Sequence, residues 1–190
     1  MNLQLRPALA CLLGCSALTG LAYPFAITGL ARVLFPRQAA GSLLRQDGRV
    51  IGSALIGQSF TDPGHFWGRP SATSPGPYNA AASGASNLAP SNPALAEAVA
   101  TRIAALRAAD PAATGPVPVD LVTTSGSGLD PDISPAAAIF QVPRVAKARG
   151  LAEPRVRELV VRHIEGPQFG VLGEPRVNVL ALNRALDGLR

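Results

Sequence analysis

Cysteine is nearly absent. The two in this chain of 190 residues are Cys11 and Cys15, one helical turn apart inside an apolar run. They cannot staple the remainder of the chain, which excludes a disulfide-held scaffold. Lysine is scarcer still: of 17 basic residues only Lys147 is a lysine, and the arginines are scattered without a run of three. A net charge of +5 and a pI near 10.2 would otherwise suggest a nucleic-acid partner. With no basic cluster and no aromatic stacking platform, that function class is set aside.

Catalytic and metal-binding patterns are also missing. The only histidines are His65 and His163. The one carboxylate at short spacing, Glu165, lies two residues from His163, too close to share a helical face, so the pair reads as a helix end and no metal site is expected. Ser125-Gly126-Ser127-Gly128 could cradle a phosphate through backbone amides, or simply turn the chain. It lacks the Lys-Ser/Thr that completes a P-loop. A nucleophilic serine facing His163 stays open, although no nucleophile-elbow pattern supports it.

Long apolar runs are limited to one, and that one is informative. Pro7 to Ala31 holds about 25 uncharged residues, enough for a helix of roughly 37 Å where about 20 residues span a bilayer. The sequence therefore predicts a single N-terminal membrane anchor. Leu12-Leu13-Gly14-Cys15 loosely resembles a lipoprotein cleavage site, yet the apolar pattern continues past Cys15, as an anchor requires. Ala10/Gly14 and Ser16/Gly20 are small pairs that would let another helix approach closely; an Ala- and Gly-rich background would produce the same pairs. Pro24 marks a kink or a packed site in the anchor.

The rest reads as one α+β domain with a small sheet and several helices. Gly48 to Gln58 predicts a strand or hairpin. Asp62 to Pro93 is an irregular, proline-rich stretch, but Phe60, Phe66, Trp67 and Tyr78 fall in or beside it. Aromatics need a surface to pack on, so an ordered loop is expected rather than a linker. Asn92-Pro93 opens a helix to about Ala109, and Val117 to Thr123 reads as a strand. Ser134-Pro135 opens a second helix ending at Gly150, and Pro154 a third ending near Glu165-Gly166-Pro167. A last strand over Val177 to Leu180 and a short helix over Asn183 to Leu189 complete the reading. On residues alone this is a non-catalytic, membrane-anchored accessory domain.

Several blocks carry a resemblance. They include Tyr23-Pro24, Phe35-Pro36, Leu55-Ile56-Gly57-Gln58-Ser59-Phe60, Phe66-Trp67, Arg69-Pro70-Ser71-Ala72 and Tyr78-Asn79. Further on come Ser86-Asn87-Leu88, Pro90-Ser91-Asn92-Pro93, Ser125-Gly126-Ser127-Gly128-Leu129-Asp130-Pro131 and Gly173-Glu174-Pro175-Arg176-Val177-Asn178-Val179-Leu180. In this order they resemble the C subunit of the Kdp-type potassium-transporting ATPase over nearly the whole chain. Ala85 and Ala89 stand where the family suggests glycine, and Asp132 where it suggests histidine.

The resemblance implies a non-catalytic subunit of a high-affinity potassium uptake complex in the cell inner membrane. Its implied partners are a potassium-channel-like subunit, a P-type ATP-hydrolysing subunit and a small single-helix subunit. Neither an aspartyl-phosphate loop nor a carbonyl selectivity filter occurs in this sequence. The implied role is assembly and promotion of ATP binding by the hydrolysing partner, a catalytic chaperone. ATP then belongs to that partner, and no cofactor is expected on this chain. Gln58 is the residue the resemblance associates with nucleotide. Phe60, Phe66, Trp67, Arg69 and Tyr78 are the expected docking set. The implied topology makes residues 1–36 a tail plus anchor and residues 37–190 an extracytoplasmic domain, although Arg32 and Arg37 after the anchor argue the other way by charge. The contrasting possibility is a free-standing, membrane-anchored envelope hydrolase or lipoprotein.

Overall fold

The computed structural model describes residues 4–189; Met1 to Leu3 of the expected tail, and Arg190, lie outside the described residues. The chain divides into two compact units, Met1–Ile51 and Gly52–Arg190.

The first unit is dominated by one helix. It comprises α1 (Leu5–Ala17), a π-helical turn (Leu18–Ala22) and α2 (Tyr23–Leu34). These 30 residues form the one helix among the described residues long and apolar enough to cross a membrane. The π turn sits immediately before Pro24, which explains it. Proline has no N–H and its ring clashes with the carbonyl four residues back, so the ladder widens there. Tyr23 N–H consequently reaches Leu18 C=O, five residues back, and Thr19 Oγ1 donates to Cys15 C=O at 2.7 Å. A one-turn helix, α3 (Pro36–Ala39), follows.

Strands β1 (Leu43–Gln46) and β2 (Arg49–Ser53) form a two-stranded sheet across an Asp-Gly turn. Asp47 and Gly48 take φ of 51° and 77°, the double positive φ that a tight two-residue hairpin demands. The expected hairpin is thus present but lies earlier than Gly48 to Gln58, because Asp47-Gly48 is its turn and not its start.

The second unit is an α+β domain built around α4 (Pro93–Ala109), β3 (Asp132–Ile133), α5 (Pro135–Arg149), α6 (Glu153–Arg162), β4 (Ile164–Glu165), β5 (Arg176–Asn178) and α7 (Val179–Asp187). The strands form a small antiparallel sheet in the order β3-β5-β4, with Val177 opposite both Ile133 and Ile164. Helices α5, α6 and α7 supply the apolar faces above it. Val142, Val145, Val156, Val160, Leu182 and Leu186 are all fully enclosed.

Helix ends follow local chemistry. Asn92 Oδ1 accepts from Ala94 N–H at 3.0 Å and opens α4 as expected. Ser134 Oγ accepts from Ala137 N–H, while Ser134's own N–H donates to Asp120 Oδ2 at 2.7 Å. Gly150, at φ 64°, closes α5, with Leu151 N–H returning to Ala146 C=O at 2.9 Å.

Three expectations are corrected. Val117 to Thr123 is not a strand but holds a single 3-10 turn, Val119–Leu121. Pro116 and Pro118 cannot donate to a sheet, and Asp120 is drawn to the start of α5. The third helix stops at Arg162 rather than near Glu165, since Ile164 and Glu165 pair with β5. The last strand ends at Asn178, whose Oδ1 accepts from Ala181 N–H and starts α7 at Val179. Val179, Leu182, Asn183 and Leu186 then share one buried helical face, the spacing that a strand assignment of Val177 to Leu180 overlooks.

Candidate functional site

From Ser59 to Pro90 the chain holds only one short 3-10 turn, Ala80–Ala82, yet every part of the segment is tied down. The anchors are side chains rather than strands. Asn183 on α7 grips Phe66 twice: Phe66 N–H donates to Asn183 Oδ1 at 2.8 Å, and Asn183 Nδ2 donates to Phe66 C=O at 2.9 Å. Gln141 on α5 treats Trp67 the same way, at 2.8 and 3.0 Å. Two buried amides thus do for two residues what a neighbouring β-strand would do. Arg144 donates to Pro63 C=O at 2.5 Å and to Gln141 Oε1 at 2.6 Å, and its guanidinium lies 4.2 Å from the Trp67 ring centre. Burial lowers the Arg144 pKa to about 10, which leaves it charged at neutral pH. Arg149 holds Gly64 C=O at 2.6 Å and pairs with Asp187 at 2.5 Å.

The segment and its approach from Gly57 are also fastened to residues 124–130. Ser71 Oγ donates to Gly128 C=O at 2.6 Å and accepts from Tyr78 N–H at 2.9 Å. Gly57 N–H reaches Leu129 C=O and Gly84 N–H reaches Ser127 C=O, at 2.8 and 2.9 Å. Arg69 bridges to Asp130 Oδ2 at 3.1 Å and to Thr124 C=O at 3.2 Å. Gly128, at φ 67°, brings this turn so close that a side chain there would stand 2.7 Å from Gly84 C=O. The Ser-Gly-Ser-Gly stretch is therefore a structural turn. Gly128 N–H is taken by Ser125 Oγ and the following Leu129 N–H by Ser127 Oγ, so neither of these two amides is left for a phosphate. Among the described residues neither serine is hydrogen-bonded to a histidine; His163 Nδ1 lies 2.8 Å from Leu159 C=O. No group of acidic, Cys or His residues there could hold a metal.

What these ties create is a cleft of about 200 Å³. Gln58, Phe60, Trp67, Arg69 and Tyr78 line it together with Arg102, Leu106 and Leu121. Gln58 and four of the five expected docking residues thus meet in one place. Phe66 does not join them: it is fully enclosed and belongs to the core. Its neighbour Trp67 lines the cleft instead. Phe60 and Trp67 also pack against the core from their partly buried positions.

Tyr78 forms the cleft's polar wall. Its hydroxyl donates to Arg69 C=O at 2.6 Å, and burial, reinforced by the Asp130 charge, pushes its pKa up to about 12. Glycines make room for it. A Cβ at Gly57 would collide with the Tyr78 ring and stand 2.6 Å from Asp130 C=O. One at Gly68 would stand 2.8 Å from the Tyr78 hydroxyl, and one at Gly52 would collide with the Gln58 amide. Arg102 on α4 adds a second guanidinium, fixed by a 2.8 Å bond to Val122 C=O. Nothing near Arg102 in the sequence signals a cleft shared with Arg69, 33 residues away.

The remaining expected positions are apart from the cleft. Ala10, Gly14 and Ser16 lie on α1 and Gly20 in the π turn, all exposed along the apolar helix. Ala85 and Ala89 have no positive φ, so neither needs glycine here; Asn87 between them takes φ 51° instead. Asp132 pairs with Arg176 Nε at 3.2 Å and accepts from Asn178 Nδ2 at 3.1 Å. Burial nevertheless raises its pKa above the ordinary carboxylate value.

Comparison with known proteins covers nearly the whole chain. The family described as "KdpC: K+-transporting ATPase, c chain" matches residues 5–188. A protein of Variovorax paradoxus named "Potassium-transporting ATPase KdpC subunit" is 66% identical over 187 residues, covering 98% of this chain and 97% of its own. Its namesake in Sorangium cellulosum is 65% identical over 190 residues and covers both chains entirely. Another in Polaromonas naphthalenivorans is 64% identical, covering 98% of this chain and 95% of its own. The chain belongs to the KdpC family of K+-transporting ATPase c chains.

Proposed function

We propose that this chain is the non-catalytic subunit of a high-affinity, ATP-driven potassium uptake complex. It stabilises the assembly and promotes ATP binding by the hydrolysing subunit. The observation that carries this reading is family membership across residues 5–188, with relatives of matching length named as subunits of that ATPase. The partners are a potassium-channel-like subunit, a P-type ATP-hydrolysing subunit and a small single-helix subunit. The 30-residue helix serves as the single membrane pass, with Ala10, Gly14, Ser16 and Gly20 as its packing stripe, and the domain lies outside the cytoplasm.

The cleft of Phe60, Trp67, Arg69 and Tyr78 serves as a docking surface, supported from beneath by Phe66. Gln58 sits at the cleft edge against Gly52. With the domain outside and ATP inside, Gln58 acts on nucleotide only through the membrane subunits. That requires two states of the complex which this domain binds unequally. Purifying the complex with and without this chain tests the proposal. Loss of the chain should raise the KM for ATP by about 5- to 150-fold, the range of ordinary coupling energies. Unchanged ATP affinity in a complex lacking the chain would overturn it. So would vanadate-sensitive ATP turnover by the isolated chain.

A further inference from the structure

The connection between β4 and β5 holds large apolar side chains out into solvent. Phe169 is 90% exposed, Val171 80% and Leu172 58%. The turn that bears them is ordered: Gln168 N–H donates to Leu172 C=O at 2.8 Å, Leu172 N–H returns to Gln168 C=O at 2.9 Å, and Gly170 N–H donates to Pro167 C=O at 3.0 Å. Phe169 takes φ 54°, a left-handed conformation that is costly for a bulky residue. Its side chain recovers none of that cost within the chain. Exposed apolar groups on a preformed, strained turn point to a contact made elsewhere.

The charges around the turn select the kind of contact. Glu165 and Glu174 flank it, and Arg176 is already paired with Glu165 at 3.0 Å and Asp132 at 3.2 Å. From residue 166 to 173 there is no Lys, Arg, Trp or Tyr. Such a rim is repelled by an anionic bilayer surface, which attracts cations and interfacial Trp or Tyr. Two copies of the chain meeting turn to turn would likewise bring carboxylates together. A protein surface with an apolar socket and a basic rim satisfies both the tip and its charges. Three side chains bury a few hundred Å², well below the roughly 1,000 Å² of a self-sufficient interface, so the turn serves as one anchor of a wider contact. We propose that the Pro167-to-Gly173 turn is a preformed apolar knob that seats in an apolar, basic-rimmed socket on another subunit of the same complex, which rests on the subunit reading above.

Co-expression of the full chain with the complex tests it. A photo-crosslinking residue at position 169 should join this chain to another subunit, at a peptide bearing Lys or Arg. The double variant Phe169→Glu, Val171→Glu should melt within about 2 °C of wild type, because the fold does not use these side chains, yet be retained at least tenfold more weakly by the complex. Glu174→Lys should weaken retention more than Glu174→Gln. A crosslink to lipid or to a second copy, or none while the complex is intact, overturns the knob and leaves the subunit reading standing. Wild-type retention of the double variant does the same. Failure of the wild-type chain to join any complex overturns both.

Discussion

Replacing Asn183 with leucine removes the double bond to Phe66 while nearly preserving side-chain volume. Phe66 N–H and C=O, bonded to Asn183 at 2.8 and 2.9 Å, would remain buried without partners. Each buried orphan costs about 1–3 kcal/mol, so the pair costs about 2–6 kcal/mol; leucine's extra apolar burial offsets a part, leaving a net loss near 3 kcal/mol. For a domain of about 150 residues each kcal/mol moves Tm by about 2–4 °C, which gives a fall of about 6–12 °C. Trp67 is the chain's single tryptophan and adjoins the broken clamp, so its fluorescence reads the aromatic segment directly. Thermal unfolding of the full chain in detergent, followed by fluorescence and by far-ultraviolet circular dichroism, separates two outcomes. If the clamp holds the segment, the fluorescence transition should move down and precede loss of helix. An Asn183→Leu protein within 1 kcal/mol of wild type, with coincident transitions, would refute the view that amide side chains replace a strand here.

Gly57→Ala should destabilise by about 1–3 kcal/mol, since its methyl meets the Tyr78 ring and the immovable Asp130 carbonyl; denaturant titration would contradict this if the midpoint held. Tyr78 has its pKa raised to about 12, so the stability it contributes is whole below its ordinary pKa near 10 and is lost as pH rises through 12. Tyr78→Phe should therefore lose about 1 kcal/mol at neutral pH and flatten the alkaline limb between pH 10 and 12; an unchanged limb would count against the assignment. Asp132 also has a raised pKa, so its favourable state is the neutral one, present at low pH and lost as pH rises past the folded-state value. Asp132→Asn should match or exceed wild-type stability at pH 7, by a larger margin than at pH 4, and a clearly less stable variant at pH 7 would show that the Arg176 pairing dominates instead.

Local signals carried much of the fold. Asn92-Pro93, Ser134-Pro135 and Gly150 each act within a few residues, and each delimits its helix where the sequence places it. The misassigned segments are those whose state is decided at long range. Val177 to Leu180 reads as a strand until Val177 is known to pair with Ile133 and Ile164 and Asn178 to cap the helix that follows. Val119 to Leu121 is apolar enough for a strand, but the carboxylate of Asp120 is claimed by Ser134, 14 residues on. A single sequence contains no trace of either pairing.

The cleft was legible in composition but not in mechanism. Aromatics concentrated beside prolines signalled an ordered segment, since such side chains are rarely left in water. Their division between core and cleft is hidden in the sequence, because Phe66 and Trp67 are adjacent aromatics with nothing to tell them apart. The backbone of both is held by Asn183 and Gln141, polar residues that a helical pattern assigns to solvent and that instead lie buried on α7 and α5. The same amides that support the core therefore set the position of the cleft's aromatic wall. A displacement of α5 would carry Trp67 with it, and through Arg144 also Pro63, while one of α7 would carry Phe66. On the docking reading proposed above, packing of the helices and occupancy of the cleft are mechanically linked, and a partner seated on Trp67 would stabilise the domain beneath it.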